Sequence, residues 1–88
     1  MIFVMRGPLR RLVGFKAQLS VEGDTVSEGL RVLCEEYPNL RRALLDGSGR
    51  LRGVHRLSVN RAMVGRNELH TPVGGGDVID VVTSLAGG

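Results

Sequence analysis

From Phe15 to Glu22 the chain alternates between apolar and polar positions. Phe15, Ala17, Leu19 and Val21 fall on one side, and Lys16, Gln18, Ser20 and Glu22 on the other. A period of two is that of a strand with one buried face. Ahead of it, the opening run MIFVM is apolar and rich in strand formers, and Arg6, Gly7 and Pro8 end it. Sequential strands tend to be neighbours, so these two are expected to pair as a hairpin, with the intervening LRRLVG as a basic turn region. Beyond Asp24 the period changes. Val26, Leu30, Leu33 and Tyr37 share one helical stripe, with Cys34 beside it. Asp24 or Thr25 can accept the free N–H groups of the first turn. Glu28 follows Thr25 at the spacing of a capping box, and Pro38 closes the helix.

The second half of the chain reads in shorter pieces. Leu40, Leu44 and Leu45 mark a short helical turn reaching back to the core, and DGSG is a loop by composition. RLRGVHRLSVN returns to strand, with Leu57 and Val59 on one face and Arg56 and Ser58 on the other. NRAM is a tight reversal, after which Met63 and Val64 begin a short return strand. GRNELHTPVGGGD is loop, with a helical turn near Leu69. DVIDVVTSL is the last strand, with Ile79 and Val81 of one parity. There is no internal repeat and no linker. A helix laid on one face of a mixed sheet is the compact way to bury these faces. The predicted architecture is therefore α+β, a β-grasp of about four to five strands with one main helix. In that arrangement the last strand runs through the middle of the sheet beside the first. Residues 1–83 form the domain and 84–88 a flexible tail.

Composition narrows the class. Eighty-eight residues allow one domain with a modest core. Without Trp, and with only Tyr37, Phe3 and Phe15 as aromatics, that core must be aliphatic. No apolar run approaches the about 20 residues that span a bilayer. MIFVM is too short for the apolar part of a leader, so a cytoplasmic protein without a membrane partner is expected. The single cysteine, Cys34, leaves no internal disulfide and fits a reducing compartment. The net charge of +3 comes from eleven Arg and one Lys against nine acidic residues. Such a surplus suits nucleic acid, an acidic protein partner, or a merely solvated surface. Aromatics that would stack on bases are scarce, so no nucleic-acid partner is expected.

The sequence closes on Gly87-Gly88, directly after the last strand. Glycine loses more conformational freedom on ordering than any other residue, so a closing pair favours a loose end. The stretch GDVIDVVTSLAGG resembles the C-terminal signature of the ThiS/MoaD sulfur-carrier family. There, a Gly-Asp turn (here Gly76-Asp77) leads into a buried strand (Ile79, Val81). An apolar residue (Leu85), a small residue (Ala86) and the pair Gly87-Gly88 follow. VEGDTV before the helix and Val59-Asn60 after the third strand are similar to other family junctions. Many relatives carry prolines just before the tail, where this chain has Thr83-Ser84; that difference bears on the sub-family more than on the chemistry.

The resemblance implies a carrier rather than an enzyme. A partner of the ubiquitin-activating type would use ATP to adenylate the Gly88 carboxylate. The acyl adenylate would become a thiocarboxylate that hands sulfur to an accepting synthase or synthase subunit. The sulfur could serve molybdopterin, thiamin, cysteine or a thiolated metabolite. The carrier itself would hold no cofactor; ATP and the sulfur donor belong to the partner reaction. Residue chemistry agrees with this use. A thin stem of Leu85, Ala86 and Gly87 suits insertion into a narrow channel, because glycine lets enzyme and backbone approach closely. No Cβ beside the terminal carbonyl hinders nucleophilic attack. Two other classes share these features: a ubiquitin-like modifier joined to protein lysines through Gly88, and a basic β-grasp binding module whose Gly-Gly is incidental.

Other residues carry less chemistry. Cys34 on the apolar helix stripe reads as a small core residue. His55 and His70 lack a third ligand at metal-binding spacing. GGGD at 74–77 is no phosphate loop, since neither Lys-Ser/Thr nor a helix follows. Arg6, Arg52 and Arg56 are expected to share the sheet face away from the helix with Val82. In the resembled family that face meets the activating enzyme, which makes Val82, Arg52 and Arg56 the candidate docking surface.

Overall fold

The structure is a computed structural model, which describes residues 1–83. Five strands form one sheet in the order β2-β1-β5-β3-β4. They are β1 (Ile2–Val4), β2 (Gln18–Ser20), β3 (His55–Val59), β4 (Ala62–Val64) and β5 (Val78–Thr83). The neighbours β1 and β5 run parallel, and every other pairing is antiparallel. This is the β-grasp arrangement, with the last strand at the centre of the sheet. Two α-helices, α1 (Val26–Glu36) and α2 (Pro38–Leu44), and a 3-10 helix over Gly7–Val13 complete the fold.

Register explains the core. Leu19, Phe3, Ile79 and Val59 stand in one row across four strands, and Val81, Leu57 and Val64 in the next. The apolar stripe of α1 covers these rows: Val26, Leu30, Leu33 and Cys34 are all buried. Leu40 and Leu44 of α2, Leu9 and Val13 of the 3-10 helix, and Met1, Met5 and Leu51 close its edges. Fully burying a side chain of this size stabilises the fold by about 1.5–3 kcal/mol. The core is aliphatic as the composition suggests, except for the fully buried Phe3 and the sulfur-bearing Met1, Met5 and Cys34.

The start of α1 is capped on three sides. Thr25 Oγ1 accepts from the Glu28 amide at 3.1 Å, and Glu28 Oε1 accepts from the Asp24 amide at 3.1 Å, the reciprocal box read from the sequence. The two preceding free amides, of Val26 and Ser27, donate to Thr71 and Leu69 in the loop before β5. That loop turns twice at Gly65–Thr71 and forms no helix near Leu69.

Two local expectations are corrected. LRRLVG is part of a 3-10 helix with Pro8 in its first turn, and Gly14 at φ 68° ends it. Phe15 and Ala17, expected on the buried face of the second strand, are both exposed; Phe15 also has a positive φ, 65°, and is 66% exposed. Its amide closes the helix end by donating to Arg10 O at 2.7 Å, so β2 begins only at Gln18. At the other end, Pro38 both stops α1 and opens α2, where its missing N–H costs nothing in the first turn.

Candidate functional site: the open sheet face and the root of the tail

β5 is held at both ends by side chains from β3 and the turn that follows it. At its start, Asn60 Oδ1 accepts from the Val78 amide at 2.9 Å, and Asn60 Nδ2 donates to Asp77 Oδ1 at 2.9 Å. Asp77 Oδ2 also accepts from the Gly74 amide at 2.7 Å, closing the Gly-Asp turn. The hydrogen bond from Asn60, then the one from Gly74, lowers the Asp77 carboxyl below its ordinary range. Asn60 can serve because Asn60 and Arg61 are the two central residues of the β3–β4 turn, both at positive φ (50° and 74°).

The other end of β5 rests on His55, which is 5% exposed and pairs in register with Thr83. His55 Nε2 lies 2.7 Å from Ala43 O, and Nδ1 3.0 Å from Thr83 Oγ1. A carbonyl only accepts, so Nε2 carries the proton. In the neutral ring Nδ1 then accepts from the Thr83 hydroxyl. The imidazole is thus a strut between the last described residue of β5 and the final turn of α2. Spacing in the sequence left His55 without a role, since no third metal ligand accompanies it and His70, and the partners it does have lie 12 and 28 residues away. Among the described residues no cluster of three His, Cys, Asp or Glu is placed to hold a metal ion.

The sheet face away from α1 is open. Val82 is 46% exposed and stands in register with Arg56; Met63 is 60% exposed and stands opposite Ser58. Asp80 occupies the middle of this face, and Arg6 donates to its Oδ1 from Nη2 at 2.9 Å and Nε at 3.1 Å. Arg6 therefore spends its charge on the chain itself, whereas Arg56 has no ion pair among the described residues. Arg52 does not join this group. It precedes β3, separated from it by the Gly53-Val54 turn, and its Nε donates to Arg42 O at 3.1 Å in the last turn of α2. Of the candidate docking residues, the structure brings Val82 and Arg56 together and leaves Arg52 apart. Leu85, Ala86, Gly87 and Gly88 lie outside the described residues.

Cys34 is buried beneath α1, and that burial pushes its thiol up to about 11 against the opposing influence of Arg41. His70 is exposed in the loop before β5, and Gly74–Asp77 makes a turn entering a strand. No helix among the described residues is long and apolar enough to cross a membrane.

A five-stranded sheet with its last strand central and one main helix across it is the β-grasp, ubiquitin-like fold. The family model of the ThiS family matches residues 6–88. The chain belongs to the ThiS family. Among solved structures, a chain of the Amycolatopsis orientalis BexX/CysO complex is similar at a TM-score of 0.83 and 21% identity, over 99% of this chain and 98% of that one. SAMP1, the small archaeal modifier protein 1 of Methanosarcina acetivorans, is similar at 0.86 and 21%, over 99% and 94%. CysO of Mycobacterium tuberculosis is similar at 0.80 and 24%, over 96% and 98%. At these identities the likeness is one of fold. No curated protein matches the sequence.

Proposed function

We propose that this protein is a sulfur carrier whose Gly88 carboxylate is activated by a partner adenylating enzyme. The carboxylate attacks the α-phosphate of ATP and pyrophosphate leaves. A sulfide-level nucleophile then adds to the acyl carbonyl and AMP leaves, giving a thiocarboxylate. Its sulfur is anionic at neutral pH and therefore nucleophilic. The sulfur passes to an accepting synthase. One observation carries the reading: the strand leading to the Gly-Gly end is the central one, and side chains hold it at both ends. A thin stem issuing from a fixed base meets the needs of insertion into a channel. Membership of the ThiS family supports it. Val82 and Arg56 supply an apolar spot and a cation without an ion pair among the described residues for docking near the end of β5. Arg52 stands apart from these two, with its Nε bonded to Arg42 O at the end of α2.

The test is intact-mass measurement after incubation with ATP, a sulfur donor and the cognate activating enzyme. Wild type should gain the mass difference between sulfur and oxygen. Deleting Gly87-Gly88 should leave the fold intact and abolish the gain. Appending one Ala after Gly88 should block it until that residue is trimmed. An extended protein activated as fast as wild type would sink the reading. A second reading, conjugation to protein lysines through Gly88, draws support from the fold shared with small archaeal modifier proteins. It would show instead as wild type joined to other proteins with no sulfur passed on.

A further inference from the structure

The groove beside α1 lies apart from the open sheet face; it has a volume of about 1230 Å³ and runs between α1, α2 and the loops at 49–51 and 66–70. Its floor is apolar: Leu30, Cys34 and Leu51 are buried, and Leu45 and Leu69 half-buried. Four arginines from four separate segments line it: Arg31, Arg41, Arg50 and Arg66. The one carboxylate among the lining residues, Glu35, is taken by Arg31 at 2.8 Å. Two carboxylates in the flanking turns are occupied with backbone. Asp46 Oδ1 accepts from the Ser48 and Arg50 amides, and Glu68 Oε1 from the Gly65 amide. Arg66 is held over the groove by its bond to Leu51 O. The side chains of Arg41 and Arg50 have no hydrogen-bond or ion-pair partner among the described residues.

A small inorganic anion would have no use for the leucine floor, and a purely apolar segment would leave three cations unanswered. We propose that this groove binds an acidic amphipathic peptide segment of a partner protein, with aliphatic side chains on the floor and carboxylates on Arg41, Arg50 and Arg66. Arginine suits this task because its planar fork meets a carboxylate with two parallel hydrogen bonds. The groove lies on the helix side of the sheet and Val82 on the opposite side. One partner can therefore hold the protein here while another takes the open face. This proposal does not depend on the chemistry assigned to Gly88.

The experiment is an NMR titration of the full chain with a blocked synthetic peptide in which Leu alternates with pairs of Asp or Glu. The same peptide with Lys at the acidic positions, and tripolyphosphate alone, are the comparison probes. Saturable shifts should centre on Leu30, Leu45, Leu51 and Leu69, and affinity should fall as salt rises. The Arg41→Glu, Arg50→Glu double variant should bind roughly tenfold or more weakly, while Arg56→Glu should bind like wild type. Both groove positions are exposed, so an unchanged amide spectrum is expected to confirm the fold of the double variant; Arg41→Gln, Arg50→Gln serves where reversal disturbs it. Absence of saturable binding, shifts centred on Val82 and Arg56, or equal binding of the Lys peptide would overturn the proposal. So would tripolyphosphate matching the acidic peptide at the same residues, which would make the groove a bare anion site.

Discussion

The strut under the end of β5 makes a quantitative claim, tested by His55→Leu and Thr83→Val, alone and together. Thr83→Val removes one neutral hydrogen bond of 3.0 Å at a half-buried residue. Water can partly replace it, so the loss should be about 0.5–1 kcal/mol. His55→Leu removes both bonds and leaves the Ala43 carbonyl facing a methyl group in a site where the imidazole was 5% exposed. An acceptor stranded in that way costs about 1–3 kcal/mol. Once Leu occupies position 55, Thr83 has no partner left to lose, and Thr83→Val should then be almost neutral. The coupling in the double-mutant cycle should therefore be about 0.5–1 kcal/mol, close to the whole effect of Thr83→Val in wild type. Urea denaturation of the four proteins measures it. In thermal melts each 1 kcal/mol corresponds to roughly 4–8 °C for a domain of this size. Losses additive within about 0.3 kcal/mol would show that the Thr83 hydroxyl faces water and that backbone pairing alone fixes the end of β5.

Leu30→Ala should cost about 2–5 kcal/mol in denaturant, because Leu30 is buried in the α1 stripe; a loss under about 0.5 would mean that α1 does not pack as described. Asp77 titrates below its ordinary range in the folded state. Its contribution is complete at neutral pH and is lost as pH falls through that lowered value. Stability of Asp77→Asn should accordingly fall less on acidification than that of wild type, and parallel profiles would contradict the Asn60 and Gly74 bonds. Cys34, raised to about 11, favours the folded state fully below the ordinary thiol range and loses that contribution as pH climbs toward 11. At pH near 8 a thiol reagent should label it far more slowly than it labels the urea-unfolded chain, and equal rates would place the sulfur at the surface. If Arg56 steers docking of the activating enzyme, Arg56→Glu should act on the association rate, and that rate should fall with salt; a rate flat in salt removes the steering role.

Elements with a long, consistent pattern were legible in the sequence. The α1 stripe and its Thr25–Glu28 cap, the inward Ile79 and Val81, and Leu57 all lie where the alternation places them. The failures share one cause: a local feature interrupted a period without interrupting the residue types. Phe15 continues the alternation of Ala17 and Leu19, yet the left-handed Gly14-Phe15 exit of the 3-10 helix claims it first. Leu9 and Val13 carry helical spacing over too few residues to be recognised, and Gly7-Pro8 looks like a stop although proline opens the helix. Arg52 has the same parity as Arg56, but the Gly53-Val54 turn between them destroys that relation, and Val54 is 43% exposed. His55 is a different case. What it does depends on Ala43 and Thr83, which only the folded chain brings to its two ring nitrogens.

The placement of β5 also has a mechanical consequence. Its neighbours are β1, parallel over Ile2–Val4, and β3, antiparallel over His55–Val59. Tension applied beyond Thr83 runs along the strand axis, while the inter-strand hydrogen bonds lie across it, so both ladders are loaded in shear. The bonds must yield together rather than one by one, as they would if an edge strand such as β4 were peeled away. Escape under load is governed by the unfolding rate, and a shared load keeps that rate low. A pull along β5 from Thr83 should therefore meet more resistance than one that peels β4 from its edge.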